Sequence, residues 1–161
     1  MSHAILSETT QFLTFNLANE VFAVEISQVK EVLEYTTMTK VPRVPDFMRG
    51  VINLRGSVVP VVDLRLKLGM EAAEITVNTC IIIIEVPVDE ERVVIGAMAD
   101  SVKEVRDLEP NQVEPPPKIG TNLRADFIRG MGKQEGNFII LLNTDRVFSF
   151  DELELLQQQA D

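Results

Sequence analysis

Two stretches of the chain repeat each other at a distance of eighty residues, and this repeat limits the possible folds more than any other feature of the sequence. Residues 46–64 read DFMRGVINLRGSVVPVVDL, and residues 126–144 read DFIRGMGKQEGNFIILLNT. Aligned without a gap, the two stretches share an Asp-Phe pair, an Arg-Gly pair and a later glycine, which is Gly56 in the first copy and Gly136 in the second. Internal repetition of this kind indicates an architecture built from copies of one structural unit.

A second, shorter repeat lies upstream of each copy. Val29-Lys30-Glu31-Val32 returns as Val102-Lys103-Glu104-Val105, displaced by 73 positions. We therefore expect two similar β units, at about residues 12–70 and 79–148, within one domain that spans residues 11–156. Residues 1–10 and 157–161 are expected to be flexible tails. Many short strands with tight turns and little helix are typical of small closed barrels, so the sequence predicts two such barrels packed together.

Three hairpins and one buried strand can be located from local patterns. Alternating residues around 12–16 and 21–26 predict the first hairpin. In the repeated stretch, Gly56 can take the positive φ of a tight turn, which places Arg55 at or beside the tip of a second hairpin. Residues 126–144 predict the third hairpin. The apolar run from Cys80 to Val86 is typical of a strand that is buried on both faces.

Helix signals are short and few. Ser27 is placed to cap a single helical turn at residues 28–33, and Asp100 is placed to cap its second copy. Asp63 predicts a short helix over residues 64–68. A capping-box pattern at residues 149–152, followed by leucines, predicts a closing helix of about ten residues.

The charge of the chain is −10, and all of the acidic excess lies in its second half. Residues 1–70 hold 7 basic and 7 acidic groups, whereas residues 71–161 hold 8 basic and 18 acidic groups. An acidic surface repels phosphate backbones, and a chain with no Trp and one Tyr has few aromatic rings on which bases can stack. Nucleic-acid binding is therefore disfavoured.

Residue types that carry catalysis or bind metals are scarce. The single cysteine, Cys80, precedes four isoleucines and is expected to fill the core, and the single histidine, His3, lies in the expected N-terminal tail. A Cys/His metal cluster is therefore excluded, and phosphate-binding, dinucleotide-binding and hydrolase motifs are absent from the sequence. We expect a protein that is not an enzyme and that has no cofactor.

The location of the protein follows from two negative signals. The longest uninterrupted apolar run, from Cys80 to Ile84, is far shorter than the roughly 20 residues of a membrane span. The first residues have neither the basic start nor the apolar stretch of a signal peptide. The sequence therefore predicts a cytoplasmic protein.

Taken together, these motifs resemble those of the CheW family of bacterial chemotaxis coupling proteins. The resemblance covers about residues 11–156, and its most specific part is GVINLRGSVVPVVDLR at residues 50–65, followed by FIRGMG at residues 127–132. It implies an all-β fold of two intertwined five-stranded SH3-like barrels over a shared core, with short helical turns and a C-terminal helix. The acidic second half of this chain departs from the family pattern and leaves the choice of partner open.

The resemblance also implies a function and a set of site residues. Such proteins are non-catalytic adaptors that join the cytoplasmic tips of methyl-accepting chemoreceptors to the regulatory domain of the histidine kinase CheA, in membrane-associated arrays. By matching position, the expected receptor-interface residues are Glu31, Gly50, Asn53, Arg55 and Val102, and the expected kinase-interface residues are Leu13, Ile26 and Val29.

Two alternatives stay open at this stage. The same scaffold would serve a chemosensory array that controls pilus motility rather than flagella. From a different functional class, an enzyme or a small-ligand binder would use a cleft between the two barrels. Binding to a chemoreceptor fragment and to the CheA regulatory domain discriminates the adaptor from that second class.

Overall fold

The chain folds into two β-sheets in which most neighbouring strands are antiparallel. The computed structural model describes residues 5–88, 90–116 and 127–148. The elements in this part of the chain are the strands β1 (Thr10–Leu17), β2 (Glu20–Glu25), β3 (Val29–Glu34), β4 (Met48–Leu54), β5 (Ser57–Asp63), β6 (Cys80–Val88), β7 (Glu91–Ala99), β8 (Ser101–Leu108), β9 (Val113–Glu114), β10 (Ile128–Gln134) and β11 (Asn137–Leu142), and the helices α1 (Leu64–Lys67) and α2 (Thr144–Val147). Single 3-10 turns lie at Ile26–Gln28 and Pro110–Gln112.

Each sheet takes strands from both halves of the sequence. The five-stranded barrel has the strand order β3-β6-β7-β5-β4, and the six-stranded barrel has the order β8-β1-β2-β11-β10-β9. The N-terminal hairpin β1–β2 thus leaves its own half and joins the C-terminal strands, pairing with β8 on one side and with β11 on the other. The two barrels are therefore intertwined, as the family resemblance predicted.

The repeated stretches form hairpins with the same irregularities. In β4–β5 the strand register shifts between Met48 and Gly50, and in β10–β11 it shifts at the matching place, between Ile128 and Gly130. At the base of each hairpin a backbone N–H donates to the carbonyl of the phenylalanine that both copies of the repeat contain. The Asp63 N–H donates to the Phe47 carbonyl at 2.7 Å, and the Asn143 N–H donates to the Phe127 carbonyl at 2.8 Å. The sequence repeat is thus a repeat of backbone geometry.

The sixth strand has a counterpart in the smaller sheet. Strand β9 pairs with β10 through Met131 and Gly132 only. At the position that matches Met131, Val51 of β4 pairs with Thr39 in an isolated bridge, with hydrogen bonds of 2.8 and 2.9 Å. The two barrels therefore have the same arrangement of five strands, and they differ in whether one further pairing involves one pair of residues or two.

The two sheets share one main core. Its buried residues include Phe15 and Phe22 from the six-stranded barrel and Ile82 and Ile84 from the five-stranded barrel, all at most 1% exposed. Strand β6 supplies a run of four isoleucines at residues 81–84, which is buried on both faces as predicted. Burying aliphatic side chains of this size contributes about 1.5–3 kcal/mol each. This common core ties the two barrels to each other.

One helix prediction is confirmed and another is wrong. The Asp63 carboxylate accepts a hydrogen bond from the Leu66 N–H at the start of α1, as predicted. Residues 29–34 and 101–108, in contrast, form the strands β3 and β8 rather than helical turns. Each of these segments pairs along a neighbouring strand, and this pairing outweighs the weak helical spacing of a few apolar residues. Asp100, expected as a helix cap, instead accepts a hydrogen bond from the Ala18 N–H at 2.8 Å.

The predicted closing helix at the C-terminus lies outside the described residues. Short helices α1 and α2 follow the two repeated hairpins at matching places. No helix in the described part of the chain is long and apolar enough to cross a membrane.

Candidate functional site

A bidentate ion pair closes one side of the five-stranded barrel. Arg55 lies at the tip of the β4–β5 turn with φ of 52°, followed by Gly56 with φ of 88°, a pair of positive φ values typical of a tight hairpin turn. The Arg55 guanidinium donates to both oxygens of the Glu31 carboxylate, at 2.6 Å and 2.9 Å. Glu31 belongs to β3, at one edge of the sheet, while β4 forms the other edge. The ion pair therefore joins the two edges.

The ion pair changes the ionisation of both groups. The hydrogen bond from Arg55 holds the pKa of Glu31 below its usual value, and the same hydrogen bond raises the pKa of Arg55. The Arg55 side chain is 73% exposed, and both of its hydrogen bonds to Glu31 hold its planar guanidinium in one orientation. The arginine is therefore fixed in place while still accessible.

Two further predicted residues hold the backbone around this pair. The Asn53 side-chain oxygen accepts a hydrogen bond from the Gly56 N–H at 2.8 Å, which fixes the turn that carries Arg55. Gly50 has a φ of 146°, and a Cβ there would collide with the carbonyl oxygen of Thr39. Gly50 is itself buried, so it can shape the surface but offers almost no surface of its own.

The predicted apolar site residues lie along the shared core. Ile26, Val29 and Val102 are half-buried and pack against it. Val29 pairs with Ile84 and Val102 pairs with Phe15, in matching positions of the two repeat units. Leu13, in contrast, is only 6% exposed. The three half-buried side chains are partly accessible to a partner, whereas Leu13 belongs to the buried core on which they pack.

Three interactions between distant parts of the sequence were not predicted. Arg65 of α1 forms an ion pair with Asp100, at the start of β8. The same carboxylate accepts the hydrogen bond from Ala18, so one side chain connects both barrels. Lys67 of α1 lies over the rings of Phe47 and Phe127, at 4.5 Å and 5.2 Å from their centroids. A signal for the last contact existed in the sequence, because the two phenylalanines occupy the same position of the repeat.

The described residues offer little for chemistry. Burial raises the pKa of the Cys80 thiol to about 11, with a smaller effect from the charge of Asp100, so the thiol stays protonated and unreactive near neutral pH. Within residues 5–88, 90–116 and 127–148, no group of three or more Cys, His, Asp or Glu side chains is arranged to hold a metal ion. The Glu31–Arg55 pair instead presents a fixed and accessible guanidinium, and arginine is enriched at protein interfaces.

Comparisons with known proteins agree on one family. A family model described as CheW-like domain matches residues 11–152. A curated relative from Rhizobium meliloti, "Chemotaxis protein CheW", is 37% identical over 144 residues, which cover 89% of this chain and 90% of the relative. A relative of the same name from Klebsiella aerogenes is 33% identical over 150 residues, which cover 93% of this chain and 88% of the relative.

A solved structure matches as well. It is described as the scaffolding protein TtCheW from Thermoanaerobacter tengcongensis, with a TM-score of 0.79 and 31% sequence identity. The match covers 89% of this chain and 95% of that chain. It agrees with the intertwined two-sheet architecture described above.

Proposed function

The chain belongs to the CheW family, as a non-catalytic chemotaxis adaptor that couples receptors to the histidine kinase CheA, and we propose which of its surfaces make these contacts. The proposed receptor surface comprises Glu31, Gly50, Asn53, Arg55 and Val102. The proposed kinase surface comprises Leu13, Ile26 and Val29. The finer identity of the partners, namely the cytoplasmic tip of a methyl-accepting receptor and the regulatory domain of CheA, belongs to the same proposal.

The observation that carries the proposal is the exposed but fixed guanidinium of Arg55. Glu31 occupies two of its N–H donors, out of the five that a guanidinium carries. Donors left over can reach a carboxylate or a carbonyl of a receptor helix. Because Glu31 already orders the long side chain, little conformational entropy remains to be lost when a partner binds.

The other receptor-surface residues have separate parts in this proposal. Asn53 holds the turn, so that Arg55 stays at its tip. Gly50 allows the segment at Thr39 to lie directly against β4. Val102 adds half-buried apolar area, which supplies affinity that the exposed charges do not.

Coupling requires that the two surfaces belong to one stiff body. Val29 on the proposed kinase surface and Val102 on the proposed receptor surface both pack on the shared core. Protein interiors are close-packed and transmit small displacements. A change at the receptor surface can therefore act on the kinase surface through this core. We further propose that the protein works in the cytoplasm and is recruited to membrane-associated receptor arrays.

A binding experiment tests the function. The purified protein is titrated with a soluble chemoreceptor signalling fragment and, separately, with the CheA regulatory domain. We expect binding to each at tens of micromolar or better, and a ternary complex when all three are mixed. If neither partner binds at these concentrations, the proposed assignment of partners is wrong. If both bind but exclude each other, the two proposed surfaces are not separate.

A further inference from the structure

An open groove lies at one end of the six-stranded barrel, away from the Glu31–Arg55 pair. It has a volume of about 340 Å³ and lies between the β1–β2 turn, strand β8 and the β10–β11 turn. Its lining includes Thr14, Val21, Arg106, Gln134 and Ile139. A groove of this volume is large enough to receive one or two amino-acid side chains.

The internal repeat allows three residues that line the groove to be compared with the residues at matching positions of the five-stranded barrel. Counted from the paired residues on either side, Thr14 of β1 matches Ile83 of β6, and both lie at the register shift between the paired strands. By the sequence repeat, Arg106 matches Leu33 and Gln134 matches Leu54. In the five-stranded barrel these three positions are apolar and belong to one packed cluster.

The lining of the groove is therefore polar at positions that are filled with apolar side chains in the other barrel. Thr14 is fully used within the fold, because its hydroxyl donates to the Glu104 carbonyl at 2.6 Å and accepts from the Glu104 N–H at 3.1 Å. Gln134 is not fully used. Its amide nitrogen donates to the Asp107 carbonyl at 2.8 Å, whereas its side-chain oxygen is buried and accepts no hydrogen bond from any described residue. A buried acceptor without a hydrogen bond is unfavourable for the fold.

The charges on the lining are predominantly acidic. Arg106 is paired with Glu104 at 2.7 Å and more loosely with Glu135 at 4.0 Å. Glu20 and Lys103 also line the groove, which gives three carboxylates against two cations. Glu135 is 80% exposed at the tip of the turn, so its carboxylate is open to a second cation.

Apolar surface accompanies these charges. Phe138 lines the groove with 52% of its surface exposed. Ile139 belongs to a smaller core cluster of this barrel, separate from the main core, and Val21 packs against that cluster. An occupant that offers both an apolar side chain and a cation would cover Phe138 and face the carboxylates together.

From this combination we infer that the groove is a second docking site, which takes a segment of a protein partner with an apolar residue next to an arginine or lysine. The apolar side chain lies against Phe138 and Ile139, and the basic group lies between Glu20 and Glu135. The groove is open along one side, which suits a chain segment better than a small molecule that has to be enclosed. This inference does not depend on the receptor and kinase surfaces proposed above.

The test uses blocked dipeptides and the protein of 161 residues. The ¹⁵N-labelled protein is titrated with N-acetyl-leucyl-arginine amide, and amide chemical shifts are followed by NMR. We expect saturable shifts with a dissociation constant in the millimolar range, concentrated at residues 19–21, 103–106 and 134–139. N-acetyl-leucyl-glutamate amide, with the opposite charge, should bind at least about 10-fold more weakly because it meets the same carboxylates.

Two variants and a matched control complete the test. Glu135→Arg places at this turn the residue type that position 55 already carries at the same φ, so the fold should be kept, and affinity for the arginine dipeptide should fall about 10-fold. Phe138→Ser should weaken binding of the arginine dipeptide several-fold. Val58→Ser, at the matching exposed position of the other barrel, should leave this binding unchanged. Equal binding of the two dipeptides, or shifts scattered over the surface, contradicts the inference. Equally strong binding of argininamide alone also overturns it, because the occupant would then be a small cation.

Discussion

The turns of the two repeated hairpins have the same backbone and opposite charges. Arg55 and Glu135 occupy the same place in the repeat, both with φ of 52°, and the glycine that follows each has φ of 88° or 81°. In the five-stranded barrel the turn arginine binds Glu31 on the neighbouring edge strand. In the six-stranded barrel both matching residues are glutamates, and Arg106 lies between Glu104 and Glu135.

This difference shows what duplication preserves. The features shared by the two copies are those that the backbone requires, such as the glycine after the turn residue and the register shift in the first strand of each hairpin. The exposed side chains are free to diverge, so one barrel presents a fixed cation at its turn and the other presents carboxylates beside an open groove. We therefore expect the two ends to serve different partners.

The largest expected effect is a difference in stability between alanine substitutions at Gly50 and Gly130, which occupy matching positions of the repeat. Gly50→Ala imposes a Cβ on a φ of 146° and drives it into the Thr39 carbonyl, so we expect a loss of about 3 kcal/mol or more in unfolding free energy. At Gly130 a Cβ would meet side-chain atoms of Val113 at 2.9 Å and Ile5 at 3.0 Å, which can shift, and the backbone oxygen of Glu114 at 3.0 Å, which is a less severe approach than the one to Thr39. Gly130→Ala should therefore cost about 1–2 kcal/mol. Urea denaturation of both variants measures the difference. Equal losses would contradict the distinction.

The next prediction tests the equivalence of the two turns. A Cβ at Gly56 or Gly136 would meet no atom within 4 Å, so only the backbone conformation opposes a larger residue. Gly56→Val and Gly136→Val should each cost on the order of 1–3 kcal/mol, and by comparable amounts. Thermal unfolding of both variants provides the measurement. If either variant were as stable as the wild type, the turns at Gly56 and Gly136 would not be equivalent.

The sequence predicted the features that depend on neighbouring residues. The hairpins, the positive φ at Gly56 and the short helix after Asp63 all follow from local patterns, and the structure confirms them. The buried isoleucine strand was also predictable, because its apolar run is continuous. The intertwined topology came from the family resemblance rather than from these patterns.

Features that depend on distant residues could not be predicted in the same way. Val29 and Val32 fit a helical period, but pairing with β6 makes this segment a strand. The Glu31–Arg55 pair joins residues 24 positions apart, across two edges whose closeness only the folded barrel shows. The groove beside Gln134 is formed by side chains from the β1–β2 hairpin, strand β8 and the β10–β11 hairpin, and no local sequence pattern indicates it.

A smaller effect concerns the pH dependence of the Glu31–Arg55 pair. The pKa of Glu31 is lowered in the folded state, chiefly by the hydrogen bond from Arg55. Its stabilising contribution is therefore fully present above the ordinary carboxyl pKa of 4.5 and is lost as the pH falls through the lowered value. In Arg55→Gln, an NMR titration should find the Glu31 pKa raised toward 4.5. An unchanged pKa would mean that the pair does not form in solution.

The central claim is that the fixed cation at the first turn, and not the acidic second turn, binds the receptor. Its most direct test compares Arg55→Glu with Glu135→Arg, measuring receptor-fragment affinity and thermal midpoint in the same preparations. Arg55→Glu places like charges at the turn and at Glu31, and should weaken receptor binding by tens-fold while lowering the midpoint by a few degrees at most. Glu135→Arg should leave receptor binding unchanged. If Arg55→Glu binds the receptor normally, or if both reversals weaken binding equally, the assignment of the receptor surface to the first turn is wrong.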